Sequence, residues 1–399
     1  MSTANGSGAR LGRGRLVALQ AALGCLLAGA AYHDSGPWGY AVAAAGALLA
    51  ACALLRRRGG WADQRLLERV RHRSLAAPPH SAPPRDAADD LGVAHTVLPA
   101  LDVAEVADRN GYDLGVLADG RGFAAVVEFP GGTVPSVPAG PVAQWLADDP
   151  AGPAAAQLVV EQFGVPPWDF HYRYQPTICY RQLPAGGRPV AVRSWLVVRH
   201  EPLEAPEAAD RRGGGAAGAR AAVAAATARL RARLAAAGVP TTPLDAEALR
   251  DLLRQTGDTS GEGKALAGSW AGAAATHCTL TARVSGQADW ARLLGGLAAC
   301  TADRVITAAT LTRDGKGLRV QAAVRVVSTL AQHAASERDR LVRAGVVGPP
   351  AADQAAGLLA TLPVAHPSRS LVEAAGFGRA TAPAPATAPA AAAPEGGAG

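Results

Sequence analysis

Two apolar runs that almost touch, ended by three arginines, limit what this chain can fold into. From Trp38 to Leu55 nothing is ionisable, and the run stops at Arg56, Arg57 and Arg58. At about 1.5 Å rise per residue, a helix there covers roughly 27 Å, close to a hydrocarbon core of about 30 Å. Leu16 to Tyr32 precedes it, with Gln20 as its only strongly polar side chain. His33 to Pro37 holds a charge, a Gly and a Pro, and so reads as a tight turn. Tyr32, Trp38 and Tyr40 gather at that turn, where amphipathic rings prefer a membrane–water boundary. The pattern predicts a two-helix transmembrane hairpin over residues 16–55.

Orientation follows from charge. Arg10, Arg13 and Arg15 precede the first run and Arg56 to Arg58 follow the second, while the turn carries Asp34 and neither Lys nor Arg. The excess of positive charge on cytoplasmic flanks puts both termini in the cytoplasm, in a two-pass protein of the cell membrane. Ala28-Gly29-Ala30 also fits a signal-peptide cleavage site; even then the arginines would stop transfer and leave the rest of the chain cytoplasmic. An amide in lipid is costly without a partner, so Gln20 is expected to face another helix, either the second span or a partner subunit.

Residues 1–15 read as a basic cytoplasmic N-terminus, and 56–90 as a basic amphipathic helix followed by a Pro-rich linker. Trp61 opens that helix, which runs to Arg73 with Leu66, Leu67 and Val70 on one face and arginines on another. It would lie on the inner leaflet or a partner, or stand solvated. A folded domain is expected over 91–370, and a disordered Ala/Pro tail over 371–399. In the domain, Tyr112 to Pro130 is a hairpin turning on Asp119-Gly120-Arg121-Gly122. Strands are expected over 155–163, 190–202 and 276–284, and helices over 219–237 and 245–256, the latter with Asp245 as N-cap. A helix over 288–300 precedes a second hairpin turning on Asp314-Gly315-Lys316-Gly317, and a last helix covers 333–345. The mixture predicts an α/β domain, a mixed sheet with flanking helices. The two Asp-Gly turns echo one another, but such turns are too common to establish a duplication.

A net charge of +6 could suggest nucleic acid. Yet Lys264 and Lys316 are the only lysines, so the basicity is arginine spread through an Ala-, Gly- and Pro-rich chain. No nucleic-acid partner is expected. The five cysteines form no C-x-x-C pair, which argues against a zinc or disulfide framework. The stretch Gly257 to Ala265 fails as a P-loop: five residues separate Gly257 from Gly263-Lys264, and Ala265 cannot offer magnesium a hydroxyl. His277 and Cys278 fall on opposite faces of one strand and cannot act as a dyad. Phe170 to Gln182, rich in aromatics and arginine, is either a binding surface or a loop rim. No catalytic, cofactor-binding or metal-ligating residue emerges.

The order of segments carries more than any single motif. Two short spans, the arginine stop, "GYDLGVLADGRGFAAVVEF", "SWLVVRHEP", the Ala/Arg helix with "GVPTTPLDAEALRDLL", and "SWAGAAATHCTLTARV" together resemble EccE, a membrane component of the actinobacterial type VII (ESX) secretion system. The resemblance extends from about Leu16 to Pro363. Trp270 and His277 match a Trp…His…aromatic strand of that family, although Cys278, Thr279 and Leu280 replace the aromatics. It implies a non-enzymatic structural subunit supporting protein export, assembled in the lipid bilayer with EccB, EccC and EccD, EccC being the ATPase. The alternative is a membrane-anchored enzyme whose α/β domain acts on a nucleotide-linked substrate. The interface residues expected on these grounds are Gln20, Trp38, Arg56, Arg57, Arg58, Trp61, Trp270 and His277.

Overall fold

A computed structural model describes residues 13–54, 56–57, 60–61, 90–107, 111, 113–132, 137, 139–164, 191–258, 261–314 and 317–366. The chain divides into two compact units, Met1–Pro78 and Pro79–Gly399.

The first unit is a helical hairpin, α1 (Arg13–Ala31) and α2 (Pro37–Leu54), joined through a single 3-10 turn. Small residues let the helices close: Ala22, Gly29, Gly39 and Gly46 are buried between them. A methyl group added at Gly29 would stand 2.7 Å from the Ala43 Cβ, and one at Gly46 2.9 Å from the Ala22 carbonyl oxygen. Any side chain there would force the helices apart. Among the described residues no helix is long and apolar enough to cross a membrane, so the two spans expected over 16–55 are not supported. The helix boundaries explain why. α1 starts at Arg13 and so includes Arg13, Arg15 and Gln20. α2 spends its first turn on Pro37, Trp38, Gly39 and Tyr40. Gln20 is exposed and does not face α2. Beyond α2, β1 (Arg56–Arg57) pairs with β2 (Gly60–Trp61). Trp61 therefore lies in a two-residue strand, opposite Arg56, and does not open a helix. Arg58 and the rest of the helix expected to Arg73 lie outside the described residues.

The second unit begins with α3 (Val93–Val97), β3 (Asp102–Ala107), β4 (Asp113–Ala118), β5 (Phe123–Glu128), α4 (Ala139–Asp148), β6 (Pro153–Phe163) and β7 (Ala191–His200). It continues through α5 (Pro206–Asp210), α6 (Gly215–Ala236), β8 (Thr242–Pro243), α7 (Ala246–Thr256), β9 (Gly263–Leu266), β10 (Ser269–Gly272) and β11 (Thr276–Ala282). Last come α8 (Gln287–Leu297), β12 (Arg304–Asp314), β13 (Gly317–Ser328), α9 (Ala331–Arg343) and α10 (Gln354–Thr361). The strands form one sheet in the order β3-β4-β5-β7-β6-β12-β13-β11-β10-β9, with β8 also on β5.

Every ladder among the described residues of this sheet is antiparallel. The expected mixed sheet is thus corrected. β5 and β6 do run the same way, joined by α4, but β7 is inserted between them, and β13 likewise separates β11 from β12. Helices cover both faces. On one, α4 and α6 pack over Ala125, Val127, Leu158 and Val198, while α8 and α9 pack over Leu280, Val305 and Val324. On the other, α3, α7 and the segment after α10 pack over Val126, Val159, Val197 and Ile306. Burial on both faces explains why β6 is buried along its whole length and shows no polar alternation.

The unit is built twice. β3-β4-β5-α4-β6-β7-α6-β8-α7 is followed by β9-β10-β11-α8-β12-β13-α9, a one-residue bridge at Pro350, and α10. Pro243 of β8 sits opposite Val127 of β5, and Pro350 opposite Leu280 of β11. The halves meet along β6 and β12, where Val159 faces Ala308 at a local two-fold. α6 ends at Gly238 (φ 78°) and α9 at Gly345 (φ 68°), a left-handed conformation that only glycine takes cheaply. The next N–H groups close the same cap, Val239 to Leu234 O at 2.9 Å and Val346 to Leu341 O at 3.1 Å. The Asp-Gly turns are not equivalent, since one joins β4 to β5 and the other β12 to β13.

Candidate functional site

Trp270 and His277 are brought together. They are cross-strand partners in the β10–β11 ladder, so both point to the face that carries α7 and α10. Trp270 packs on Val93 and Leu358. Its indole lies so close to Gly263 that a side chain there would collide with the ring. His277 is fully buried and its Nε2 lies 3.7 Å from Asp258 Oδ2. That is ion-pair range but too long for a hydrogen bond. The same carboxylate oxygen accepts backbone N–H groups of Ala274 at 3.1 Å and Ala275 at 3.4 Å. Burial pushes the His277 imidazole down to about 4; Asp258 opposes this, and Arg325 and Arg304 reinforce it. The ring is therefore neutral at physiological pH. Cys278, on the opposite face, belongs to the core under α8 and α9, and burial raises its thiol to about 11. The two side chains cannot cooperate, as the strand period requires.

Around His277 lies a buried charged network at the C-terminal end of α7. Glu161 pairs with Arg193 at 2.8 Å and Arg304 at 3.3 Å. Arg193 also donates to Gln255 at 3.0 Å and lies over the rings of Phe163 and Trp195 at 5.0 and 5.2 Å. Arg304 donates to the carbonyls of Gln255 and, at 2.9 Å, Gly257; Arg325 donates to that of Thr256. Three guanidinium groups thus converge on the negative end of a helix, where cations complement the peptide dipoles and bare carbonyls. Burial and the neighbouring Arg304 lower the Arg325 pKa to about 9, which still leaves it charged at neutral pH.

A second knot sits around Asp119, which sequence reasoning places only in a hairpin turn. Arg199, wholly buried, pairs with Asp119 at 2.8 Å and Glu201 at 2.9 Å and donates to Val364 O at 3.2 Å. Arg121 closes on Glu201 at 2.9 Å. Asp119 also accepts the N–H groups of Arg121 at 3.0 Å and Gly122 at 2.8 Å. A methyl group at Gly122 would sit 2.8 Å from the Arg199 guanidinium, so this turn is shaped to admit the arginine. The spacing Asp119-x-Arg121 with Arg199-x-Glu201 across a neighbouring strand was the available signal.

These carboxylates are held by arginine or backbone N–H groups inside the fold. Among the described residues no group of His, Cys, Asp and Glu could hold a metal ion. The Gly257–Ala265 stretch begins at the end of α7 and finishes in edge strand β9, where Lys264 is exposed and lies opposite Ala271. The other expected interface residues lie in the first unit: Gln20 and Trp38 are exposed, and Arg56, Arg57 and Trp61 are strand residues of β1 and β2. Phe170 to Gln182 falls outside the described residues.

Residues 189–282 match the family model described as "Putative type VII ESX secretion system translocon, EccE". The matched stretch runs from β7 to β11 and contains Arg193, Asp258, Trp270 and His277. No curated protein matches the chain.

Proposed function

We propose, taking the EccE segment at residues 189–282 as the premise, that this chain is a non-enzymatic structural subunit of a type VII secretion membrane complex. The observation that carries this reading is the family match itself. It includes Arg193 of the charged network, the helix end on which the network converges, and the strand pair that positions Trp270 and His277. The chemistry of the network agrees. Its ionised groups are spent on each other and on a helix end, an arrangement that fixes the shape of a scaffold. Transport energy would then come from a partner, and EccB, EccC and EccD are the partners proposed.

Attachment to the cell membrane is assigned to the α1–α2 hairpin, with both termini cytoplasmic. Leu23, Leu27, Leu48, Trp38 and Tyr40 are all more than half exposed on it, an apolar surface that water does not favour. A short apolar helix is accommodated by local thinning of the bilayer, at fractions of a kcal/mol per Å. Exposed Gln20 would meet a helix of another subunit. The test is detergent co-purification with tagged EccB, EccC or EccD. The full chain should be recovered, and a chain beginning at Leu91 should be lost. Equal recovery of both would reduce the hairpin to a tether, and recovery of neither would remove the chain from the complex.

A further inference from the structure

The two halves of the second unit differ at one place that matters for binding. In the first half, β5 runs into Phe129, whose ring is buried in the core with Trp145. Val137, from the connection to α4, packs on the same core, as does Val239 of the loop after α6. In the second half the equivalent of Phe129 is Ala282. The equivalence follows from the register: Phe123 pairs with His200 and Thr276 with Ser328 as the first residues of matching strands. The connection to α8 is only residues 283–286, with no counterpart of Val137. Ring and plug are both missing. In their place is an open groove of about 670 Å³ between the end of β11, α8 and the loop 344–349. Its floor is Ala282, Leu293, Val346 and Val347, and Gly296 lets Val346 seat directly on α8, where an added methyl group would stand 2.8 Å from the valine Cγ1.

The rim is charged in one sense. Asp289 is already taken by Ser285 and by Arg292 at 2.9 Å. Arg283 is exposed on the rim, and its guanidinium forms no ion pair among the described residues. We infer that this groove is a docking site for a partner protein segment carrying an aromatic side chain flanked by carboxylates. The ring takes the volume that Phe129 fills in the other half, and a carboxylate meets Arg283. Burial of the ring against Leu293 and Val346 would supply the apolar contact, and the charge pair would set orientation. The inference stands independently of the secretion reading, because it rests on the comparison of the two halves.

Fluorescence polarisation of the full chain in detergent tests it, using labelled heptapeptides with a central phenylalanine flanked by glutamates, the same peptide flanked by lysines, and one with alanine at the centre. The acidic aromatic peptide should bind at least tenfold more tightly than either control. Ala282→Phe should abolish that binding without lowering the melting temperature, because it rebuilds the plug of the first half. Arg283→Glu should reverse the preference between acidic and basic flanks. Binding that is unchanged in Ala282→Phe, equal for the three peptides, or absent would overturn the proposal. So would tighter binding of a peptide spanning residues 367–399, which would make the occupant this chain's own tail.

Discussion

Protonating His277 is costly to the fold. Its ordinary pKa of about 6.5 applies when unfolded, and burial holds it at about 4 when folded. The unfolded state therefore binds the proton first. The stability contribution is complete above about pH 6.5 and is lost as pH falls towards 4, at about 1.4 kcal/mol per unit. His277→Asn should flatten that part of the stability–pH curve, measured by urea unfolding at intervals across this range; parallel curves for the two proteins would contradict the assignment. Glu337 acts lower. Burial would raise its pKa, but hydrogen bonds from Arg340, Cys300 and the Thr301 N–H outweigh that and hold it at about 2. Its contribution is present above about pH 4.5 and lost as pH falls towards 2. Trp270→Ala should cost about 3–5 kcal/mol, the usual range for a large buried aromatic. At this scale the sequence was informative about spacing only. It paired Trp270 with His277 by resemblance, and alternation separated His277 from Cys278. The Asp119–Arg199–Glu201 knot joins a turn to a strand 80 residues away, a distance at which local pattern carries no information.

Most elements were legible because they obey local rules. α7 has Asp245 as its N-cap, accepting from Ala248 N at 2.8 Å, with leucines on its buried face. β4–β5 and β12–β13 are hairpins around Asp-Gly turns, as read. β3, β9, β10 and α10 escaped notice. Each is short, and β9 is exposed along its length, so no hydrophobic period marks it. The mixed sheet was expected because helices alternate with strands; which strand inserts between two others is set by long-range pairing. The duplication did leave a trace, in Ala237-Gly238-Val239 with Pro243 and Asp245, and Ala344-Gly345-Val346 with Pro350 and Asp353. The Asp-Gly turns echo one another more plainly but are not equivalent. If the halves are built alike, the two caps should be worth alike: Asp245→Ala and Asp353→Ala should each cost about 1 kcal/mol in chemical unfolding. A cost confined to one of them would show that the second helix is held by other means.

At the scale of the molecule, the chain comprises a hairpin with an exposed apolar surface and a two-fold repeated α–β–α unit with two buried charged knots. The hairpin was legible as two apolar runs with a turn between, and its helices begin and end within a few residues of those runs. Membrane crossing was not legible to the same degree: among the described residues no helix is long and apolar enough to cross a membrane. The proposed attachment has a direct test: if the hairpin crosses a locally thinned bilayer, a reporter after residue 75 should be active only in its cytoplasmic form, and one at Ser35 only in its external form. External activity at residue 75 would reverse the orientation. The central claim is that this chain is built into the secretion complex. Quantitative mass spectrometry of the complex, purified from native membranes through tagged EccC, tests it most directly. The account predicts this chain at a fixed ratio to EccB and EccD, unchanged by high salt. A purified complex that retains EccB and EccD but holds this chain only at trace, salt-sensitive levels would contradict it.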